Sequence, residues 1–589
     1  MCGIIGYIGK RKAIPIILES LKRLEYRGYD SFGIAALDNS KIVVKKDVGR
    51  IEQVAPKLSI TKLKAKVAIG HSRWATHGKV TKENAHPHLS NNGKIAVVHN
   101  GIIENYQKLK SFLISKGFKF YSETDTEVIP NLIEWHMRSG SNFIDAIKKT
   151  IAQLEGSYAL VILNAGQRKL VAIRKESPLV LGVGKDEWLI ASDIPAFLPY
   201  TKRVIYLHEK DAAIITDKLE ILNLETGLPV KRLIDSIEWS AEQAKKGNFE
   251  HFMLKEITEQ AEVINRAIIQ DKRIIDAIAD AIKEARGIYF VACGTAYHAC
   301  LAASYKFSHI AKKHVNVALG SEFPNYKDFL IPQSLVIAVS QSGETADVLG
   351  AIRSAKEKGA KVISIVNVMG SSLARESDQA LLQHAGPEIC VLSTKSYTSQ
   401  LAILTLLAYA VADKFEEGRA KLRDLIKYIY YLTSASMRGH VKKLAEKLRY
   451  AQHIYTIGRG LQYPTALEAA LKIKEASYIH AEGFAGGELK HGSIALIEHG
   501  TPCIVFTSKD TEKEIISNAM ELKARGGYII GVGPKNNEVF NFFIKVREAE
   551  EANSICQIIP IQILAYQLAL LRGCDPDKPR SLAKTITVK

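Results

Sequence analysis

Cys2 carries a thiol and, once Met1 is removed, a free α-amine on the same residue. That pair is a self-contained nucleophile and base, because an α-amine titrates at about 7.7–8.0 and can take the thiol proton. A cysteine at position 2 is equally compatible with an inert thiol, so its surroundings decide. Three polar segments end or follow strand-like runs: HSRWATHG (71–78), VVHNG (97–101) and SETDTE (122–127). Arg73 can grip a carboxylate bidentately and Asp125 can hold an ammonium, which together would recognise the zwitterionic end of an amino acid. Asn100 and the Gly101 N–H could form an oxyanion hole. The plainer alternatives are a surface ion pair for Arg73 and Asp125, and a hairpin turn for Asn-Gly. His71, His77, His86, His88 and His99 raise the question of a metal, but their spacing fits no helical ligand pair, and none is expected.

A second group of reactive residues lies far along the chain. VSQSGETAD (339–347) follows an apolar run and opens a helix, so its hydroxyls and N–H groups could cradle an anion. A capped helix with Ser342 or Thr345 at the N-cap is the alternative. Glu468, Lys472 and Glu475 are spaced i, i+4, i+7 and share one helical stripe. The helix around them is mostly Ala, Leu and Ile and reads as buried. Charge on a buried helix needs a reason, and proton transfer is one. His491 follows in the Gly-rich loop HAEGFAGGELKHG (480–492), and the β-branched tail PRSLAKTITVK (579–589) holds Lys584.

CGIIGYIG with Cys2, EYRGYDSFG (25–33), HSRWATHG, HNGIIEN and ETDTE together resemble the class II glutamine amidotransferase domain, an N-terminal-nucleophile fold. The resemblance implies glutamine hydrolysis through a thioester on Cys2. It makes Arg73 and Asp125 glutamine binders, Asn100 and Gly101 the oxyanion hole, and Trp74, Thr76, His77 and Gly78 parts of the same pocket. The later motifs CGTAYHA, SQSGETAD, STKSYTSQ, ALEAALKIKE, GELKHG and PRSLAKTITV resemble paired sugar isomerase (SIS) domains. From Cys2 to the tail, the order of motifs resembles the glutamine–fructose-6-phosphate aminotransferase (isomerising) family.

That resemblance implies a sugar-phosphate site on Thr295, Ser340, Gln341, Ser342, Thr345, Val391 and Ser393. It implies proton transfer by Glu475 with Lys472, ring opening by His491, an imine on Lys584, and a gate on an ammonia channel at Trp74. Fructose 6-phosphate and glutamine would be the substrates, no cofactor would be needed, and a homodimer or larger homo-oligomer is expected. The family often has Ser after CGT where this chain has Ala296, so one hydroxyl contact is absent or replaced by water.

These residues need elements to hold them. GIIGYIG (3–9), KVAIG (66–70), KIAVVHNG (94–101), SYALVIL (157–163) and KLVAIR (169–174) read as strands, with helices near Ile14–Leu24 and Glu127–Arg138, giving an α+β layered domain. Farther on the chain repeats. Ile288–Lys306 aligns with Ile454–Lys472, and Ser334–Val366 with Thr501–Gly533, at a nearly constant offset. Each copy reads strand–turn–helix–strand, so two tandem α/β domains with parallel sheets are expected. The second copy's loop, FTSKDTEKE (506–514), has lost the Ser-x-Ser-Gly pattern, so one anion site per pair is expected. The expected boundaries are 2–218 for the glutaminase, 219–250 for a polar linker, 251–430 and 431–578 for the SIS domains, and 579–589 for a tail reaching the sugar site. Residues 251–268 read as one helix.

The chain has 589 residues, too many for one core. Its 80 Lys and Arg exceed its 62 Asp and Glu, but the bases are scattered, so a solvated surface is expected rather than a nucleic-acid face. No helix-turn-helix module is legible, nor a GxxxxGK[ST] or SGGxDS loop of the kind ATP- or pyrophosphate-using amidotransferases need. The seven cysteines form no CxxC pair, which favours reduced thiols and a cytoplasmic protein. Neither a signal peptide nor a membrane span is expected.

Overall fold

A computed structural model describes residues 2–75 and 77–587. The chain forms two compact units. One runs to Lys245 and includes the C-terminal segment from Ala583; the other is Lys246–Leu582.

The first unit stacks two antiparallel sheets. The eight-stranded sheet runs, edge to edge, Asp235–Ser236, Arg203–Tyr206, Val180–Val183, Glu187–Ala191, Gly3–Gly9, Val67–Arg73, Ser31–Asp38 and Lys41–Val48. The six-stranded sheet runs Leu219–Asn223, Asp211–Ile215, Lys169–Lys175, Gly156–Asn164, Ile95–Ile103 and His88–Leu89. Strand alternation explains the layering. Ala96 and Val98, like Val161 and Leu163, join Ile4, Ile8 and Ile69 between the sheets. Ile95 and Val97, like Leu160 and Ile162, face the opposite way and pack with the helices Tyr106–Ser115, Val128–Arg138 and Phe143–Ile151. The helix Ala13–Leu24 covers the other sheet; Gly70 has no side chain because a Cβ there would lie 2.7 Å from both Ile17 and Leu21.

The polar stretch expected to link the domains is partly sheet. Leu219–Asn223 pairs with Asp211–Ile215, and Asp235–Ser236 pairs with Arg203–Tyr206. Ile221 and Leu222 are buried there, enough apolar area for an edge strand despite polar neighbours.

The second unit holds two five-stranded parallel sheets. The first runs Asn316–Leu319, Gly287–Ala292, Ser334–Ser340, Lys361–Val366, Gln379–Leu382; the second runs His480–Ala485, His453–Gly458, Pro502–Phe506, Tyr528–Gly533, Phe542–Lys545. Both have chain order 2-1-3-4-5, which places the topological switch beside the first strand, where open α/β sheets bind ligands. One apolar core runs through both copies, joining Ile257, Phe290 and Leu401 to Ile473 and Ile558.

The expected helix over 251–268 is two, Phe252–Thr258 and Gln260–Ala267. Thr258 Oγ1 donates back to the Leu254 carbonyl at 2.8 Å, a bond that bends helices. Among the described residues one helix, Glu550–Leu571, is long and apolar enough to cross a membrane, and 83% of its most apolar window is buried inside the protein. Its polar residues bind inward: Gln557 Nε2 donates to the Thr507 carbonyl, and Gln562 Oε1 accepts from Gln260. It is a core helix.

Candidate functional site

Cys2 leads into the central strand Gly3–Gly9, where Gly3 lies opposite Ser72 on the antiparallel strand Val67–Arg73. That register brings the end of the second strand to the thiol. The Trp74 N–H donates to Cys2 Sγ at 3.1 Å, and the thiol lies 3.4 Å from the Trp74 carbonyl. Burial pushes the Cys2 thiol up, while the Trp74 N–H and the Arg73 guanidinium pull it down. The carbonyl of Cys2 is held at 2.8 Å by Asn100 Nδ2 and at 3.4 Å by Arg27 Nε.

Asn100 and Gly101 do not form a hairpin turn. They lie inside the strand Ile95–Ile103, opposite Ala159 and Tyr158. Gly101 has φ +121°, and a Cβ there would lie 2.1 Å from the Ser157 carbonyl oxygen, so only glycine fits.

Arg73 and Asp125 are both buried and are not paired with each other among the described residues. The Arg73 guanidinium donates to the carbonyls of His77, Gly78 and Lys79, which ties down the loop after its strand. Asp125 accepts the Ile103 N–H at 2.7 Å. Neither is a surface ion pair. His77 packs edge-on to Tyr106, and Trp74 edge-on to Tyr29. Thr76 lies outside the described residues.

Four of the five histidines are buried together. The His86 ring lies 4.2 Å from His71 and 4.8 Å from His88, centroid to centroid. Burial lowers the pKa of His71, His86, His88 and His99, that of His71 to about 3, so the cluster is neutral. Among the described residues no group of three or more His, Cys, Asp or Glu could hold a metal ion.

The reading of the sequence missed the support of this pocket. Asp193 accepts from Tyr26 Oη at 2.6 Å and Arg27 Nη1 at 2.9 Å, and Asp30 accepts the Ala75 N–H at 2.9 Å. The signal lay in EYRGYDSFG, which contributes Tyr26, Arg27 and Asp30.

The second unit contains a charged cluster between its two copies. Glu468, Lys472 and Glu475 share one face of the helix Gln462–Ser477, and Glu468 and Lys472 are fully buried. Lys472 Nζ lies 2.6 Å from Glu475 Oε2 and 3.5 Å from Glu468 Oε1, and donates to Thr295 Oγ1 at 3.0 Å. Thr295 in turn donates to Glu468 at 3.1 Å. Burial works against the Lys472 charge, but the carboxylates of Glu475 and Glu468 outweigh it and hold the ammonium above its ordinary range. His298, on the same helix as Thr295, lies 2.7 Å from Glu468 Oε2. It sits within CGTAYHA, where residue spacing alone does not mark it.

The loop after Ser334–Ser340 is internally braced. Ser340 Oγ accepts the Gly343 N–H at 3.0 Å and meets Thr345 Oγ1 at 3.3 Å; Ser342 Oγ accepts the Glu344 N–H at 3.2 Å. Gly343 has φ +65°, and a Cβ there would lie 2.1 Å from Ser371 Oγ. Thr345 occupies the N-cap of Ala346–Glu357, but its side chain makes no cap bond; its hydroxyl meets that of Ser340 instead. Gln341 is half-buried, and its carbonyl accepts the Asn367 N–H.

In the second copy a carboxylate of the protein binds the equivalent loop at one N–H. Glu548 accepts the Lys509 N–H at 2.9 Å and the Glu550 N–H at 3.1 Å, and also binds Asn553 Nδ2. Ser508 and Thr511 hydroxyls bond to each other at 3.0 Å.

Val391 is buried, with its N–H on the Asp577 carbonyl at 3.1 Å, and Ser393 is half-buried. His491 is exposed in the turn after Glu488–Lys490. Lys584 is half-buried in the segment that groups with the first unit.

Two family descriptions match: "Glutamine amidotransferase domain" over residues 71–199, and "SIS domain" over 281–410 and again over 447–572. The glutamine–fructose-6-phosphate aminotransferase [isomerizing] of Pyrococcus horikoshii is 46% identical over 598 residues, with 100% of each chain covered. The chain belongs to this family. The aminotransferase of the same description from Aquifex aeolicus is 45% identical over 600 residues, again with 100% of each chain covered. The C-terminal domain of glucosamine-fructose-6-phosphate aminotransferase from Francisella tularensis aligns with a TM-score of 0.52 and 34% identity, covering 57% of this chain and 100% of that one. Within this aminotransferase family the two SIS matches fall on the two parallel sheets, and the amidotransferase match falls within the antiparallel unit.

Proposed function

We propose that the chain converts fructose 6-phosphate and glutamine into glucosamine 6-phosphate and glutamate, the entry step of amino-sugar synthesis. The observation that carries this is full-length membership of the aminotransferase family, with a thiol cradle in one unit and a buried Glu–Lys–Glu cluster in the other.

In the first half-reaction Cys2, freed of Met1, attacks the glutamine amide with its own α-amine as base. Ammonia leaves, and water hydrolyses the thioester to glutamate. Arg73 and Asp125 orient the α-carboxylate and α-ammonium, with Trp74, Thr76, His77 and Gly78 shaping the pocket. Asn100 Nδ2 and the Gly101 N–H stabilise the oxyanion. The Trp74 N–H on the sulfur offsets part of the burial that pushes the thiol up.

In the second half-reaction Ser340, Gln341, Ser342 and Thr345 hold the phosphate at the topological switch, with Thr295, Val391 and Ser393 along the sugar. His491 opens the ring and Lys584 forms an imine at C2. Ammonia displaces the lysine, and Glu475 carries a proton from C1 to C2 while Lys472 holds that carboxylate in place. C1 rises to the aldehyde level as C2 is reduced, so no external oxidant or reductant is required. Water is the only other product of the sugar step and balances the water consumed by the thioester. Trp74 gates the passage of ammonia.

The reading includes a cytoplasmic homodimer or larger homo-oligomer, in which a neighbouring subunit completes the sugar site. Nucleic acid and membrane play no part in this scheme. In this reading the order is glutaminase, first SIS domain, second SIS domain, and a tail that brings Lys584 to the sugar. The test is stoichiometric. Glutamate and glucosamine 6-phosphate should form one to one from the two substrates, and glutamine hydrolysis with no amino sugar in the intact protein would refute the scheme.

A further inference from the structure

We infer that His71 is a positioning residue for the glutaminase step: its Nε2–H locks the Asn100 amide so that the NH₂ group, and not the carbonyl, faces the Cys2 end of the pocket. The inference rests on the oxyanion role proposed above for Asn100.

The assignment follows from hydrogen-bond logic at both ends of a short chain. His71 Nε2 lies 3.0 Å from the His99 carbonyl oxygen. A carbonyl only accepts, so Nε2 carries the proton. The same nitrogen lies 3.1 Å from the Asn100 side chain, and the atom facing an N–H must be the amide oxygen Oδ1. At the other end the amide meets the Cys2 carbonyl at 2.8 Å, which again only accepts and so demands the NH₂ group. The two ends agree.

Rotating the amide by half a turn would set NH₂ against N–H and one carbonyl against another. That alternative has nearly the same shape, so packing alone would not exclude it; the polarity of His71 and the Cys2 carbonyl does. With the amide reversed, charge developing on the substrate oxygen would meet a lone pair instead of a donor.

His71 is suited to this task by its burial. Its ring has no exposed surface and lies 4.2 Å from that of His86, so no water can take its place. Burial keeps the imidazole neutral, with a pKa of about 3, and Nδ1 has no hydrogen-bond partner among the described residues. One proton on Nε2 is therefore the resting state across the working pH range.

The test uses the full-length enzyme and four variants: His71→Leu, His71→Gln, Asn100→Ala and the His71→Leu/Asn100→Ala double variant. Deleting one oxyanion donor outright costs about 10²–10³ in kcat, and loosening its orientation in His71→Leu should cost about 10-fold or more in glutaminase kcat. The KM for glutamine should stay within about two-fold, because uniform binding is untouched. Ammonia-dependent synthesis should be unchanged, which also shows that the variant is folded.

Three readouts separate positioning from general damage. Inhibition by glutamate γ-semialdehyde, which forms an oxyanion on Cys2, should weaken by the same factor as kcat, while inhibition by glutamate should not move. His71→Leu added to Asn100→Ala should cost nothing further. His71→Gln, which keeps an N–H donor, should recover part of kcat. Unchanged kcat in His71→Leu, an effect confined to KM, or additive losses in the double variant would overturn the inference. If Asn100→Ala itself keeps full kcat, the oxyanion assignment falls and takes this inference with it. If Asn100→Ala is slow and His71→Leu is not, the inference about His71 alone fails.

Discussion

Replacing Lys472 with methionine should leave two carboxylates, Glu468 and Glu475, facing each other across an apolar side chain. In the native protein the ammonium lies 2.6 Å from one and 3.5 Å from the other. Removing one partner of a buried ion pair costs about 3–5 kcal/mol, because the remaining charge is left uncompensated. Melting temperatures fall by about 2–4 °C per kcal/mol in domains of 150–250 residues. The deficit should therefore be about 6–20 °C, toward the lower end for a unit of this size.

The pH dependence gives the sharper test. In the variant, burial and mutual repulsion raise the folded-state pKa of one carboxylate above its unfolded value of about 4.3. A group raised in this way binds its proton more tightly in the folded state. Its contribution is fully present below the unfolded pKa and is lost as pH rises through the folded one. The gap between native and variant melting temperatures should thus narrow from pH 7.5 to pH 5. Adding Glu468→Gln should also recover part of the loss at pH 7.5. Differential scanning calorimetry of both proteins at both pH values reads this directly. A gap independent of pH, together with no recovery in the double variant, would refute the idea that Lys472 neutralises this cluster.

Active enzyme should begin at Cys2 by intact-mass measurement, and Cys2→Ala should abolish glutamine use while sparing synthesis from ammonium. Retention of Met1 on active protein would refute the α-amine as base. Ser342→Ala and Thr345→Ala should each weaken fructose 6-phosphate binding about ten- to hundred-fold, the loss of one hydrogen bond to a charged group at about 1.5–3 kcal/mol. Thr507→Ala and Ser508→Ala should change it little, since Glu548 already binds that loop at the Lys509 N–H; calorimetric titration would show equal effects if both copies bound phosphate. Borohydride with fructose 6-phosphate should trap an adduct on Lys584, and Lys584→Ala should stop amino-sugar formation while the Cys2 site keeps glutaminase activity. Peptide mapping that places the adduct on another lysine would reject the imine assignment.

Local patterns made much of this legible. The repeat showed in the alignment of Ile288 with Ile454 because each copy encodes the same strand–turn–helix–strand unit. The stripe Glu468, Lys472, Glu475 showed because helical spacing places the three on one face whatever surrounds them. What stayed hidden depends on partners distant in sequence. Glu468 meets Thr295 and His298 more than 150 residues away, and nothing local to CGTAYHA announces that. Likewise Glu548 lies 39 residues beyond Lys509, whose N–H it accepts. Asn100-Gly101 carries the strongest short-range turn signal, yet it sits within a strand because the Ser157 backbone crowds Gly101. Leu219–Asn223 looked like linker because an edge strand needs only a few buried residues.

The apolar helix near the C-terminus has a consequence for synthesis on the ribosome. Asp577 accepts the N–H groups of Phe252 and Met253, a contact spanning 325 residues. Gln260 reaches Gln562 across 302. The first residues of the second unit therefore emerge long before the helix Asn553–Leu571 that buries them. At translation rates of about 5–20 residues per second, the wait is roughly 15–65 s. During that interval the helix Phe252–Thr258, with Met253 and Ile257, lacks the C-terminal helix that packs against it. The antiparallel unit, complete in its main sheets by Ser236, can fold while the ribosome is still working. Its successor can close its first parallel sheet once Leu382 has emerged, but gains the C-terminal helix of its core only when translation is nearly finished.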